Sequence, residues 1–442
     1  RGVERLAGGV GMPAMSGWRE RLARGGYAAA LTLMTPLYLP KRGRRGGPEP
    51  LYRQAGGERR ARDGGERSAG AVWVHAVSLG ETRAAAALVD ALREACPGMR
   101  LLLTHGTATG REAGAALLRP GDEQVWLPYD TPGAVNRFLA HFAPAVGVLM
   151  ETEIWPGLLQ AAQRRGVPMV LANARLSERS QRQGERLAVV MRPAVESLAL
   201  VLAQTEPDAQ RLREAGARRV VVSGNLKFDM APDEALLQRG REWRAGAGRP
   251  VVLMAASREG EEDALLAAWA QQAPPDAPRP LLVVVPRHPQ RFDEVAARLA
   301  AAGDTVVRRS AFGDAPATAD LNTDVWLGDS MGEMPLYYAM ADVALLGGSF
   351  APLGGQNLIE AAACGCPLVM GPHTFNFSEA AELALEAGAA KRVATMEEGV
   401  RCAVEWAREE SARAAAVQAG ERFAAMHRGA ARRTADAILA LV

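Results

Sequence analysis

Short apolar runs recur along residues 71–371, and between them lie stretches long enough for one amphipathic helix each. The first series is AVWVHAVS (71–78), MRLLLTH (99–105), AVGVLME (145–151), VPMVLANA (167–174), LALVLAQT (198–205) and RVVVSGN (219–225). The second is PVVLMAAS (250–257), PLLVVVPR (280–287), DTVVRRS (304–310), TDVWLGD (323–329), ADVALLGGS (341–349) and PLVMG (367–371). A strand that is apolar at nearly every position has no face to give to water. It belongs in a sheet covered on both sides, which in practice is a parallel one with helices as crossovers. The pattern therefore predicts α/β architecture: two doubly wound domains, 71–230 and 231–442, facing across a cleft. Residues 400–442 are expected to be helical nearly throughout. In such sheets ligands collect at the carboxyl ends of the strands, so the residues just after each run are the ones to weigh.

Residues 1–70 stand apart. Residues 43–70 are rich in Gly, Arg and Glu and read as a linker. Before them, Gly25–Pro40 is apolar but shorter than the roughly 20 residues that a spanning helix needs. Arg19, Arg21 and Arg24 precede it, Lys41, Arg42, Arg44 and Arg45 follow, and Trp18, Tyr27 and Tyr38 are aromatics of the membrane-interface type. The expectation is a short membrane-associating segment. The chain opens on Arg1, so a natural start at Met12 or Met15 is also expected.

Several chemistries drop out. There is no GxxxxGK[ST] phosphate loop, no GxGxxG after the first strand, no HExxH and no Asp-x-Asp pair. Lys and Arg total 52 against 50 Asp and Glu, so net charge gives no reason to expect nucleic acid. Four cysteines are too few for a disulfide framework. Cys364 and Cys366 lack a second Cys or His pair, and a packing role is expected of them. What remains is an α/β protein that handles a phosphorylated ligand with side chains and backbone alone.

Three places carry candidate chemistry. In GGSFAPLGGQNLIE (347–360), Gly354 and Gly355 leave room for a ligand, and Asn357 reads as the N-cap of a helix whose free amides suit a phosphate. Glu360 fits either a capping box with Asn357 or a carboxylate that accepts from a ribose diol. Arg287 follows an apolar run, either as a surface residue or as a fork of donors for phosphate. Glu333 in GDSMGEM ends another run and could open a helix. In the first domain, Glu81 opens a helix after a Gly turn. It reads as an ordinary helix-start residue or as a general base. Glu151, Glu153 and Lys227 end neighbouring runs at the same sheet edge.

Ten segments, in order from about Val74 to Phe377, are together specific: HAVSLGE, LPYDTPGAVNRFL, METEIWP, NARLSERS, GNLKFD, SREGEE, VPRHPQRF, GDSMGEM, GGSFAPLGGQN and GPHTFNF. They resemble the Kdo transferases of lipopolysaccharide synthesis, which move 3-deoxy-D-manno-octulosonic acid (Kdo) from CMP-Kdo to a lipid A precursor. The resemblance implies a GT-B glycosyltransferase fold, with the acceptor on the first domain and CMP on the second. It implies Glu81 as catalytic base, with Glu151 and Lys227 supporting the transition state. It implies that Pro286 and Arg287, then Met331, Gly332 and Glu333, then Asn357, Leu358, Ile359 and Glu360 bind CMP. Inversion by direct displacement, without metal or cofactor, is also implied. So is attachment to the cytoplasmic face of the inner membrane through the N-terminal segment. Gln356 departs from the pattern, since relatives often carry His there; an amide cannot take a charge. Two rival readings share the fold, a transferase using a UDP-sugar and a non-catalytic membrane-associated binding protein.

Overall fold

The computed structural model describes residues 70–272 and 279–442, and Gly26 alone before them. The rest of the Gly25–Pro40 segment and the linker lie outside the described residues. Among the described residues no helix is long and apolar enough to cross a membrane.

The first sheet holds β1 (Val72–His75), β2 (Leu101–His105), β3 (Glu123–Trp126), β4 (Val146–Met150), β5 (Met169–Ala174), β6 (Leu200–Ala203) and β7 (Val220–Val222). Their order is β3-β2-β1-β4-β5-β6-β7, and every pair is parallel. The second sheet holds β8 (Val251–Ser257), β9 (Leu281–Pro286), β10 (Val306–Arg308), β11 (Val325–Leu327), β12 (Val343–Leu346), β13 (Leu368–Met370) and β14 (Ala390–Arg392). Their order is β10-β11-β9-β8-β12-β13-β14, again parallel throughout. Reversal of the strand order beside β1 and β8 marks the switch point of a doubly wound sheet.

All twelve apolar runs became strands, and the expected α/β class holds. The two strands without a run, EQVW of β3 and AKR of β14, lie at sheet edges. An edge strand keeps one side in water and needs no continuous apolar run.

The chain divides into two compact units. One runs to Leu226 and is completed by Gly429–Val442; the other is Lys227–Arg428. The C-terminal region is helical, as Met396–Arg408, Glu410–Met426 and Ala430–Leu439. The last of these was expected in the second domain but belongs to the first unit. It packs on helix Leu79–Ala95, and Arg433 Nε donates to Ser223 O at 3.0 Å. Ala430, Ala431, Ala435 and Ile438 bury its apolar face, a pattern that names no partner in advance.

Each unit has its own core. In the first, Trp73 stacks at a tilt on Phe138 (5.0 Å between centroids) and its indole N–H donates to Thr104 Oγ1. In the second, Trp243 meets Phe312 and Trp326 edge to face, and those two rings pack at a tilt. Helix Glu234–Gly246 approaches helix Met334–Met340 so closely that a Cβ on Gly240 would strike Leu336 O. Only glycine allows that contact.

Two buried histidines lie side by side in the first sheet. His75 Nδ1 lies 3.1 Å from Thr104 O, and His105 Nδ1 lies 3.0 Å from Ala76 O. Burial pushes the His75 imidazole down to about 3 and that of His105 down to about 4. Both are neutral in the fold at any physiological pH. The unfolded chain takes up protons near 6.5 and the fold does not, so each histidine costs stability as pH falls below 6.5. The slope is about 1.4 kcal/mol per pH unit per group. Urea unfolding at pH 7, 6 and 5 should therefore lose less stability on acidification in His75→Gln than in wild type. Equal losses would contradict the neutral assignment.

Candidate functional site

In the first unit the acidic candidates sit where β1 and β4 end. Ser78 caps helix Leu79–Ala95, accepting from Glu81 N–H at 3.4 Å. Glu81 answers in kind: Oε2 accepts from Val77 N–H at 2.8 Å, and Oε1 accepts from Ser78 Oγ at 2.9 Å. This is close to a reciprocal capping box, and S-x-x-E spacing was its signal. Asn357 and Glu360 share the spacing, but there the Asn357 side chain makes no cap. Glu81 thus fills the helix-start role, and the same bonds fix its carboxylate in one place.

Glu151 is the first residue after β4. Its φ of 57° is left-handed, rare for a side chain of this size. Its N–H donates to Ala172 O at 2.9 Å, and its carbonyl accepts from Arg175 N–H at 3.4 Å. On the neighbouring strand Asn173 has a φ of 52°, within a register shift of β5 against β6. Asn173 is fully buried; its Oδ1 accepts from Leu226 N–H at 3.0 Å, while its Nδ2 has no partner among the described residues. Two strained residues on adjacent strand ends are the sort of feature that clusters at functional sites. The sequence pattern offered no sign of Asn173 beyond its place in NARLSERS.

Glu153 follows two residues later and is half-buried. Burial, and next the negative charge of Glu81 with a further push from Glu151, raise its carboxyl to about 7. Three carboxylates therefore converge in this unit, and one of them holds its proton close to neutrality. Lys227 starts the second unit instead of closing the first. It lies in the 3₁₀ turn Leu226–Asp229, and its ammonium sits over the Phe377 ring at 5.2 Å.

In the second unit the candidates sit at the ends of β9, β11 and β12. Pro286 is the buried last residue of β9. Arg287 N–H donates to Ser257 O at 3.0 Å, and its exposed guanidinium donates through Nε to Gln356 Oε1 at 3.1 Å. The loop after β12 runs from Gly347 to Asn357 and closes on itself. Gly355 N–H donates to Gly348 O at 2.8 Å, and Gln356 N–H to Gly347 O at 3.1 Å. Most amides of the loop are already taken, those of Gly347, Ser349 and Leu353 by backbone carbonyls. Glu261 accepts from the N–H groups of Gly348, Phe350 and Ala351.

The helix after the loop is only six residues long, Leu358–Ala363. Leu358 and Ile359 are fully buried in the core, so only their backbone could meet a ligand. Asn357 and Glu360 are half-buried, and Asn357 Oδ1 is buried without a partner among the described residues. In the β11 loop Met331 is 53% exposed and Gly332 has a φ of 82°. Glu333 is gripped by Arg309, with Oε2 accepting at 3.0 Å and Oε1 at 2.9 Å. Gly328-Asp329-Ser330-Met331-Gly332 matches G-x-S-x-G in its letters, the spacing of a nucleophile elbow. Ser330 Oγ, however, lies 2.6 Å from the hydroxyl of Tyr337, a phenol that burial pushes far above its ordinary range. A phenol so held is no base. Burial likewise pushes the thiols of Cys364 and Cys366 up, which suits packing.

The family model described as 3-deoxy-D-manno-octulosonic-acid transferase (kdotransferase) matches residues 51–230. A 3-deoxy-D-manno-octulosonic acid transferase of Bordetella pertussis is 50% identical over 430 residues, covering 94% of this chain and 99% of its own. One from Haemophilus influenzae is 32% identical over 388 residues, 86% of this chain and 89% of its own. Among solved structures, a glycosyltransferase from Rickettsia africae is similar with a TM-score of 0.57 at 12% identity, over 84% of this chain and 98% of its own. Anabaena HepE in complex with UDP and glucose gives 0.56 at 14%, over 84% and 99%. At such identities the likeness is one of fold, and the fold is GT-B, with a seven-stranded parallel sheet in each domain.

If Glu81 contributes to the raised Glu153 carboxyl, Glu81→Gln should lower the Glu153 midpoint toward the usual carboxylate range. Infrared or NMR titration of the Glu153 carboxyl in both proteins reads this directly. An unmoved midpoint would show that the two groups do not feel each other.

Proposed function

Because the chain belongs to the 3-deoxy-D-manno-octulosonic acid transferase family of glycosyltransferases, we propose that it moves Kdo from CMP-Kdo to a phosphorylated glycolipid, a lipid A precursor. The observation that carries this reading is the fixed carboxylate of Glu81 at a helix start, with Glu151 and Glu153 beside it. The donor is already activated, since CMP leaves readily. The work left for the protein is to take a proton from the acceptor hydroxyl and to stabilise the phosphate that departs.

In this reading Glu81 is the general base. The acceptor oxygen forms a bond to the anomeric carbon of Kdo as the bond to the CMP phosphate breaks. The electron pair leaves with CMP, and the configuration inverts. Arg287 holds the phosphate as a charge-assisted donor, and the backbone at Asn357–Glu360 lies close in sequence to its partner Gln356. Pro286, Leu358 and Ile359 contribute only through the backbone, because their side chains are buried. Glu360 takes the ribose, and Met331, Gly332 and Glu333 line the nucleotide. Glu151 and Lys227 support the charge that develops during transfer. The lipid acceptor places the protein at the cytoplasmic face of the inner membrane, attached through residues 1–70.

Incubating the protein with CMP-Kdo and a tetra-acylated lipid A precursor, followed by mass spectrometry of the glycolipid, tests this. Wild type should add Kdo mass. Glu81→Gln should lose about 10²–10⁴-fold in rate, the usual worth of a general base, while CMP still binds. A Gln variant that turns over near the wild-type rate would remove Glu81 from the mechanism.

A further inference from the structure

We propose that Glu261 is a positioning residue of the donor site, an internal anion that shapes the Gly347–Gln356 loop so that Gln356 can hold Arg287. This rests on the reading of Arg287 as the ligand of the donor phosphate.

Glu261 opens helix Glu261–Ala270 behind Gly260, and it is only 2% exposed. Its carboxylate accepts four backbone N–H groups. Oε2 takes Arg258 at 2.9 Å and Gly348 at 2.8 Å; Oε1 takes Phe350 and Ala351, each at 3.2 Å. Backbone amides turned toward one centre form an anion nest, and here a side chain of the same domain fills it. The loop can then return on itself through the Gly355–Gly348 and Gln356–Gly347 bonds, and its far end delivers Gln356 to Arg287.

The next residue secures the opposite side. Glu262 accepts from Ser257 Oγ at 2.7 Å and from Arg291 at 2.7 and 3.1 Å, a fork-on-fork pair that is nearly fully buried. Arg291 ends the 3₁₀ turn Pro289–Arg291, just after Arg287. Two consecutive acids thus hold the two loops whose tips, Gln356 and Arg287, meet at 3.1 Å. Glutamine at 261 would keep one acceptor oxygen but turn an NH₂ against amide donors. Aspartate would keep the charge and fall short.

The test is steady-state kinetics with CMP-Kdo for Glu261→Gln, Gln356→Ala, their double variant and Arg287→Ala, with melting curves alongside. Glu261→Gln and Gln356→Ala should each raise KM for CMP-Kdo about tenfold with kcat nearly unchanged, and the double variant should be no worse than the poorer single, as for residues that act through one arm. Should Glu261→Gln fail to fold, Glu261→Asp and the half-exposed Gln356→Ala carry the same test. A Glu261→Gln protein with lowered melting temperature and unchanged KM would overturn the proposal. So would effects that multiply, or a Gln356→Ala protein with unchanged KM. Impaired Arg287→Ala beside intact Glu261→Gln sinks the positioning role alone, whereas unchanged KM in Arg287→Ala overturns both it and the donor reading.

Discussion

Both sheets are parallel throughout and covered on both faces, and this sets where chemistry can sit. Residues of β1, β4, β8, β9 and β12 are almost all buried, so a polar side chain within them must find a partner inside. His75 and Thr104 do so with each other. Working groups are left to the carboxyl ends, where strands break into loops. Each sheet bends there on a left-handed residue that is not glycine, Asn173 at β5 and Ala256 at β8, each within a register shift. At β8 the bend brings Ala256 O against Gly347, where a Cβ would collide. The glycine after β12 thus serves backbone packing, a demand unrelated to ligand binding.

Carboxylates divide the labour at these ends. Glu261 and Glu262 are consumed by structure, one by amides and the other by an arginine fork. Glu81 is held by a cap but remains at the loop surface, half-buried. Glu153 is raised by burial and by its neighbours. The same residue type therefore serves as scaffold, helix cap and proton holder, according to the donors that surround it. A buried pair such as Glu262–Arg291 adds little net stability over apolar residues, but removing one partner strands the other charge. Its value here lies in geometry, since it ties the turn after β9 to the end of β8.

Much of this was legible in the sequence. Strands buried on both faces announce themselves as unbroken apolar runs, and each of the twelve runs is a strand. The edge strands β3 and β14 carry no such run, because an edge is free to be polar. The capping box at Ser78 and Glu81 is legible as S-x-x-E, but Asn357 and Glu360 share that spacing without a side-chain cap, because loop geometry decides there. Helix Ala430–Leu439 is legible as a helix but its unit is not, since an alanine-rich face fits many partners. The SREGEE acids were visible only as a motif. Their bonds to Gly348, Phe350, Ala351 and Arg291 join residues 29 to 90 positions apart, and no local pattern records that.

The central claim is that the second unit holds a nucleotide carrying one phosphodiester with Arg287 and backbone donors, and without a divalent ion. Calorimetric titration of CMP into the full protein, with and without EDTA, reads it most directly. The account predicts equal affinity in both conditions, and a loss of about 1.5–3 kcal/mol in Arg287→Ala, the usual worth of a charge-assisted hydrogen bond. Binding that disappears with the chelator, or that is unchanged in Arg287→Ala, would contradict it.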